Sequence, residues 1–181
     1  MNGGANPLLG GLDERLARGV VAGLAAGLLF LLANMWYADS QGLPAVAPLY
    51  DISTVFHFAD QPDPVAENAA IGLVTHLALS AGFGALLAAF APLFASGRAL
   101  AAGAVAFGLL LYLVNFQILG RVAFEWFQEG PNQTFEVFAH AGYGLLLAPF
   151  LTGYARAVQE RRVVQERERI GVRARPQSVD A

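Results

Sequence analysis

The chain has 181 residues and a net charge of -3, with 56% hydrophobic and only 14% charged residues, where an ordinary soluble domain carries about 25% charged. That balance excludes a domain with a conventional water-facing surface and points to lipid as the solvent. Cysteine is absent, which removes disulfides, thiolate metal sites and cysteine nucleophiles, and an acidic chain whose basic tail is interrupted by acids argues against nucleic acid as a partner.

A short segment, residues 1–18, carries Arg15 and Arg18 and leads into the first apolar run. Crossing roughly 30 Å of hydrocarbon at about 1.5 Å per residue takes about 20 apolar residues. Runs of that length fall at 19–38, 69–91, 100–119 and 135–155, so residues 19–155 are expected to form a four-helix transmembrane domain and 156–181 a charged tail. The first run is followed by the small-x-small triplet Ala45-Val46-Ala47, as a secretory signal would be. It is longer than a signal's apolar region, and Pro48 is a poor cleavage context, so it reads as an uncleaved helix.

Between the first two runs, residues 39–68 contain Pro44, Pro48, Pro62 and Pro64 and cannot be one helix. The apolar stretch Leu49 to Phe58 is expected to lie on the membrane surface or to cap the bundle. This loop carries Asp39, Asp51, Asp60, Asp63 and Glu67 without arginine. Ten of the chain's arginines, from Arg15 and Arg18 through Arg98 to Arg175 in the tail, fall on one side of the spans and Arg121 on the other. The positive-inside rule therefore places both termini in the cytoplasm. Trp36 with Tyr37, and Trp126 with Phe127, stand where the first and third spans leave the outer leaflet and read as aromatic-belt residues. The tail reads as a helical extension of the fourth span that frays after Pro176, with lipid headgroups or a cytoplasmic partner as an alternative contact.

The two halves echo each other. Gly27-Leu-Leu-Phe-Leu-Leu-Ala-Asn34 matches Gly108-Leu-Leu-Leu-Tyr-Leu-Val-Asn115, and Gly82-Phe-Gly-Ala-Leu-Leu-Ala88 matches Gly142-Tyr-Gly-Leu-Leu-Leu-Ala148. The expectation is two parallel-repeat helical hairpins related by an axis along the membrane normal. In that register His76 aligns with Glu136, and Ser80 with His140. Each pair continues along ridges of small residues four apart: Ser80, Gly84 and Ala88 in one helix, Gly144, Ala148 and Thr152 in the other. Gly19, Gly23 and Gly27 repeat the device in the first span, and Ala104 with Gly108 shortens it in the third. Small residues let helix backbones approach closely in lipid, so these ridges are the expected packing surfaces.

Counting rises from each midpoint puts Asn34, His76, Asn115 and His140 roughly 5 to 10 Å to the outer side of the bilayer centre, with Glu136 a turn further out. Ionisable groups at such depth face one another or a cavity and default to a functional reading. Four readings of this layer stand open. The residues form interhelical hydrogen bonds that fix register. His76, His140 and Glu136, joined by His57 and Glu125, bind a transition metal. His76 and His140 hold haem b, with Arg121 as the outer cation for its propionates. Or Glu136 and His140 form a titrating pair on a path for protons or a small solute. His57 is either an interfacial residue or a gate over Glu136. No oriented nucleophile, phosphate loop or other catalytic constellation is present, so no enzymatic activity is expected and no cofactor is assigned.

The Gly-x-x-x-Gly spacing of the first span, the histidine of the second, Tyr112-Leu-Val-Asn-Phe116 in the third and Phe138-Ala-His-Ala-Gly-Tyr-Gly144 in the fourth together resemble small uncharacterised four-helix inner-membrane proteins of bacteria. The resemblance covers most of residues 19–155 and implies location and fold; it brings no activity with it. The overall expectation is an all-α integral membrane protein, an accessory or structural component whose polar layer takes a small ligand or ion. Its partners would be the lipid bilayer and a homo-oligomer or larger membrane complex.

Overall fold

A computed structural model describes residues 10–58 and 68–173. Asp60, Pro62, Asp63, Pro64 and Glu67 of the long loop, the segment before Gly10, and the end with Arg175 and Pro176 lie outside the described residues. In chain order the elements are α1 (Gly10–Ser40), α2 (Ala47–His57), α3 (Ala69–Phe90) with a 3₁₀ turn (Ala91–Leu93), and α4 (Gly97–Tyr112). A π-helix (Leu113–Leu119) continues α4 into α5 (Gly120–Val122), and α6 (Trp126–Glu129) and α7 (Gln133–Arg173) follow. Four stretches are long and apolar enough to cross a membrane: Leu12–Ser40, Ala69–Leu93, Gly97–Val122 and Gln133–Thr152. The first three expected spans lie within these stretches, and the fourth, 135–155, runs three residues past Thr152 along α7.

Local chemistry sets the boundaries. Gly42 adopts φ 79 in the turn after α1, a left-handed conformation that glycine takes without steric cost. Pro48 stands in the first turn of α2, where its missing N–H is not needed. Asn68 caps α3 by accepting from the Ala70 and Ile71 amides at 2.9 and 3.1 Å, Ser96 caps α4 by accepting from Ala99, and Asn132 accepts from Phe135 at the start of α7. Such caps replace the intrahelical partners that a helix's first amides lack.

Helix α1 packs along α3, α4 along α7, and α1 also meets α7; α2 lies against α3. Both long contacts are made at backbone distance. A Cβ added to Gly23 would fall on the Ser80 carbonyl and one added to Gly84 on the Gly19 carbonyl. Between α4 and α7, a Cβ on Gly108 would fall on the His140 carbonyl and one on Gly144 on that of Ala104. Gly19 and Gly27 are as tightly covered, by the α3 backbone and the Ser80 side chain. Helix α2 docks in the same way, since a Cβ on Gly72 would meet the Leu49 carbonyl. Beneath these contacts lies an apolar cluster that includes Ala22, Leu87, Leu100, Leu147 and Leu151.

The surface is inverted relative to a water-soluble protein. Val21, Leu32, Val74, Leu110 and Phe138 are more than half exposed, whereas His76, Ser80, Glu136 and His140 are buried. Hydrocarbon offers no hydrogen bonds, so apolar side chains are stable outside and polar ones gather within.

Two expectations are corrected. Trp126 is 6% exposed and packs inside the protein, because the turn through Phe124 and α6 folds back over the bundle; it is no belt residue, unlike Trp36, which is 66% exposed. The third span does not run as a regular α-helix through Leu119, because its last two turns widen into the π-helix. The fourth helix continues without interruption to Arg173, as a helical tail requires.

The glycine contacts yield a paired test. Gly23→Ala or Gly144→Ala is expected to lower bundle stability by about 1–3 kcal/mol, the usual cost of overpacking. Gly82→Ala and Gly142→Ala, where an added Cβ meets nothing within 4 Å, should be neutral or slightly stabilising. Unfolding of detergent-solubilised protein by increasing SDS, followed by circular dichroism, measures the difference.

Candidate functional site

Past the glycine contacts the four long helices and α2 line a partly open cavity of about 720 Å³. Its position follows from helix register. On α1 the residues up to Gly27 touch α3, and the next turn supplies Phe30, Leu31 and Asn34 to the cavity. On α4 contact ends at Gly108 and lining begins at Leu111. On α7 Gly144 is in contact while Tyr143, His140 and Glu136 line the space. Helix α2 closes one side with Asp51, Ile52 and Val55, and α6 contributes Trp126 and Phe127.

All six residues of the expected polar layer, Asn34, His76, Ser80, Asn115, Glu136 and His140, line this one cavity. His57, Glu125 and Arg121 do not: all three are exposed and absent from its walls. His57 instead sets its ring edge-on to Phe56, and Arg121 donates to Gln117 Oε1 at 3.2 Å.

The two histidines are fixed differently. His76 Nε2 is 2.8 Å from the Gly27 carbonyl. A carbonyl can only accept, so Nε2 carries the hydrogen and Nδ1 is the nitrogen left with a lone pair in the neutral ring. His140 Nδ1 is 2.8 Å from the Glu136 carbonyl, so by the same reasoning Nδ1 donates and Nε2 keeps the lone pair. The Glu136 carboxylate also lies 3.5 Å from His140 Nδ1, longer than a good hydrogen bond. Phe30 sits between the imidazoles, stacked on His76 at 5.9 Å and edge-on to His140 at 4.9 Å. Tyr143 Oη donates to the Ser80 carbonyl at 2.9 Å and ties α7 to α3.

This arrangement does not fit a bis-histidine haem. The Phe30 ring fills the space between the two imidazoles. Nor, among the described residues, do any three His, Asp or Glu side chains converge closely enough to hold a metal ion.

A second polar chain has no mark in the α-helical periodicity of the sequence. Arg121 donates to Gln117, Gln117 Nε2 donates to Tyr112 Oη at 3.0 Å, and Tyr112 Oη donates to Gln133 Oε1 at 2.9 Å. Gln133 Nε2 in turn donates to the Phe127 carbonyl at 2.7 Å. Tyr112 and Gln117 are five apart and can pair because the π turn brings i and i+5 onto one face. Gln128 Nε2 donates to the Phe116 carbonyl inside the widened segment, the kind of side-chain partner that an irregular helix in lipid requires. These amides hold the loop through α6 against α4 and α7. The available signal was the group of glutamines at 117, 128 and 133, flanking apolar helices where amides have no lipid-facing use.

The loop so held also buries an unpartnered polar atom, shielded from the cavity itself. Trp126 Nε1 is a buried donor without a hydrogen-bond partner among the described residues, on a ring that lines the cavity. Leaving such a donor unpaired costs about 1–3 kcal/mol.

Comparison of the chain with protein-family models, with curated proteins and with solved structures gives no match in any of the three.

The glutamine chain predicts that Gln133→Ala loosens the α6 loop and lowers stability by about 1 kcal/mol, near the usual worth of a side-chain hydrogen bond in a membrane helix bundle. In a Trp36→Phe background, where Trp126 is the remaining tryptophan of the two, acrylamide should quench the indole more readily after Gln133→Ala. Gln165→Ala, on the exposed tail helix, should leave quenching unchanged.

Proposed function

We propose that the protein is a multi-pass component of a bacterial inner membrane, without catalytic activity of its own, that holds a small amphipathic molecule in the cavity. The observation that carries this reading is the gathering of Asn34, His76, Ser80, Asn115, Glu136 and His140 on the walls of one space of about 720 Å³. That volume lies within the range typical of small-molecule sites, which join mostly apolar walls to a few convergent polar groups. Register-fixing hydrogen bonds alone would call for a filled interior. Holding is favoured over passage, because the backbone contacts at Gly23, Gly84, Gly108 and Gly144 and the apolar cluster beneath them close the bundle on the other side.

In this reading both termini are cytoplasmic and the cavity end faces the extracytoplasmic side. Arg15, Arg18, Arg98, Arg167 and Arg169 stand toward the closed end and Arg121 toward the open one, in keeping with the positive-inside rule. The two hairpins are read as copies of one ancestral hairpin. Support comes from the crossings, in which Gly27 lies against the Ser80 side chain and Gly108 against the His140 carbonyl, residues paired by the repeat register, although the Ser80 carbonyl itself meets Gly23, one turn away.

Native mass spectrometry of protein released from detergent tests the reading. Wild-type protein exposed to a total bacterial lipid extract is expected to carry a 1:1 small-molecule adduct. Ala38→Phe and Ile52→Trp, which push bulk into the cavity from α1 and α2, should lose it while keeping the helical circular dichroism spectrum. Absence of any adduct from correctly folded wild type would remove the proposal.

A further inference from the structure

Resting on that reading, the hydrogen-bond inventory of the cavity's polar wall narrows the occupant. We propose that the cavity holds a long-chain, uncharged lipid whose head carries free hydroxyl groups.

The inventory is one-sided. Four donors on this wall are spent on main-chain carbonyls of the bundle: Asn34 Nδ2 on Phe30 at 3.1 Å, His76 Nε2 on Gly27 at 2.8 Å, His140 Nδ1 on Glu136 at 2.8 Å and Tyr143 Oη on Ser80 at 2.9 Å. What these bonds leave over are acceptors. In the neutral rings His76 Nδ1 and His140 Nε2 hold lone pairs, and Asn34 Oδ1 holds two. None of the three has a hydrogen-bond partner among the described residues. Nor are they sealed in the packing, because among the described residues Trp126 Nε1 is the side-chain atom that is both unpartnered and inaccessible. Three acceptors, one each from α1, α3 and α7, therefore stay open on residues that line one space.

A guest whose own polar atoms only accept, such as an ester, a ketone or a carboxylate, leaves all three unsatisfied, and an unmade hydrogen bond is costly where water is scarce. A hydroxyl donates to such an acceptor and can itself accept. A donor is at hand in the Asn115 carboxamide, which lines the same cavity and has no hydrogen-bond partner among the described residues. An ammonium group could donate to the three acceptors but could not accept from that amide. Several hydroxyls on one small head match acceptors that arrive from three helices. The remaining requirement is room for hydrocarbon, and Leu79 and Phe83 of α3 with Leu111 of α4 continue the lining as apolar wall.

The test uses the full wild-type chain in an amine-oxide detergent, whose head has no hydrogen to donate, with native mass spectrometry following 1:1 adducts through a titration. The probes are monolauroyl glycerol, dodecyl glucoside, the fully O-methylated form of each, methyl laurate and dodecylammonium. Methyl laurate has no donor and a smaller head, so it separates lost hydrogen bonds from the added bulk of methylation. At least one hydroxylated probe is expected to bind about tenfold or more tightly than its O-methylated form and methyl laurate, the equivalent of one hydrogen bond. Which of the two heads binds more tightly tells a glycerolipid source from a glycolipid one. Asn34→Leu, which removes one acceptor at nearly constant size, should weaken the hydroxylated probe about tenfold and leave methyl laurate unchanged. If methyl laurate or dodecylammonium binds as tightly as the hydroxylated probes, or if folded Asn34→Leu binds them as wild type does, the hydroxyl assignment falls while the cavity reading stands. If the lipid extract gives an adduct and no probe does, the assignment again falls alone; if neither gives one, the cavity reading falls with it. The comparison of probes needs no variant, so a misfolded Asn34→Leu does not rescue the assignment.

Discussion

Everything in this structure depends on two places where helix backbones touch. At Gly23 against Ser80 and at Gly144 against Ala104 there is no room for a Cβ, and in hydrocarbon, where water supplies no pressure to associate, such close packing is what holds helices together. It also fixes register. Once Gly84 is seated against Gly19 and Gly23, the rise of the helix decides that His76 and Ser80 face inward a turn or two above; the same holds for His140 and Glu136 above Gly144. The polar chamber is thus a geometric consequence of the contact below it.

Inside the chamber, partnership with the backbone takes the place of partnership between side chains. Each histidine donates to a main-chain carbonyl, Gly27 or Glu136, and Tyr143 donates to that of Ser80. Helical carbonyls already accept within their own helix and have a second lone pair to offer. Each imidazole is thereby held with one nitrogen committed and the other available to the cavity. A site prepared in this way presents acceptors in fixed positions.

The spacing of residues four apart made most of this legible. Glycine ridges, the inward-facing His76, Ser80, Glu136 and His140, and the Asn34 and Asn115 pair all follow from helical periodicity, which needs no knowledge of what lies opposite. What periodicity does not carry is pairing across elements. Trp126 reads as a belt residue because its place at the end of a span is shared by true belt residues such as Trp36, and only the Gln133 bonds to the following loop turn it inward. Tyr112 and Gln117 escape notice because five is not an α-helical spacing. Gly72 is a plainer omission, since it opens the ridge that runs through His76, Ser80, Gly84 and Ala88 and marks where α2 docks. His57, Glu125 and Arg121 stand near the mouth of the site in sequence, and their exposure reflects loops whose course the spacing of residues does not determine.

The widened turn at Leu113–Leu119 has a further meaning. A π segment accommodates one residue more than the α-helix it interrupts, so a span can gain a residue at one end without sliding its glycines at the other. Under the duplication proposed above, this is how one copy could depart from its sister while their shared crossing stayed intact. The chamber is then lopsided by construction, with an indole and a glutamine-braced loop on one flank and the plain α2 helix on the other. Any guest with two unlike ends would have a single way to sit.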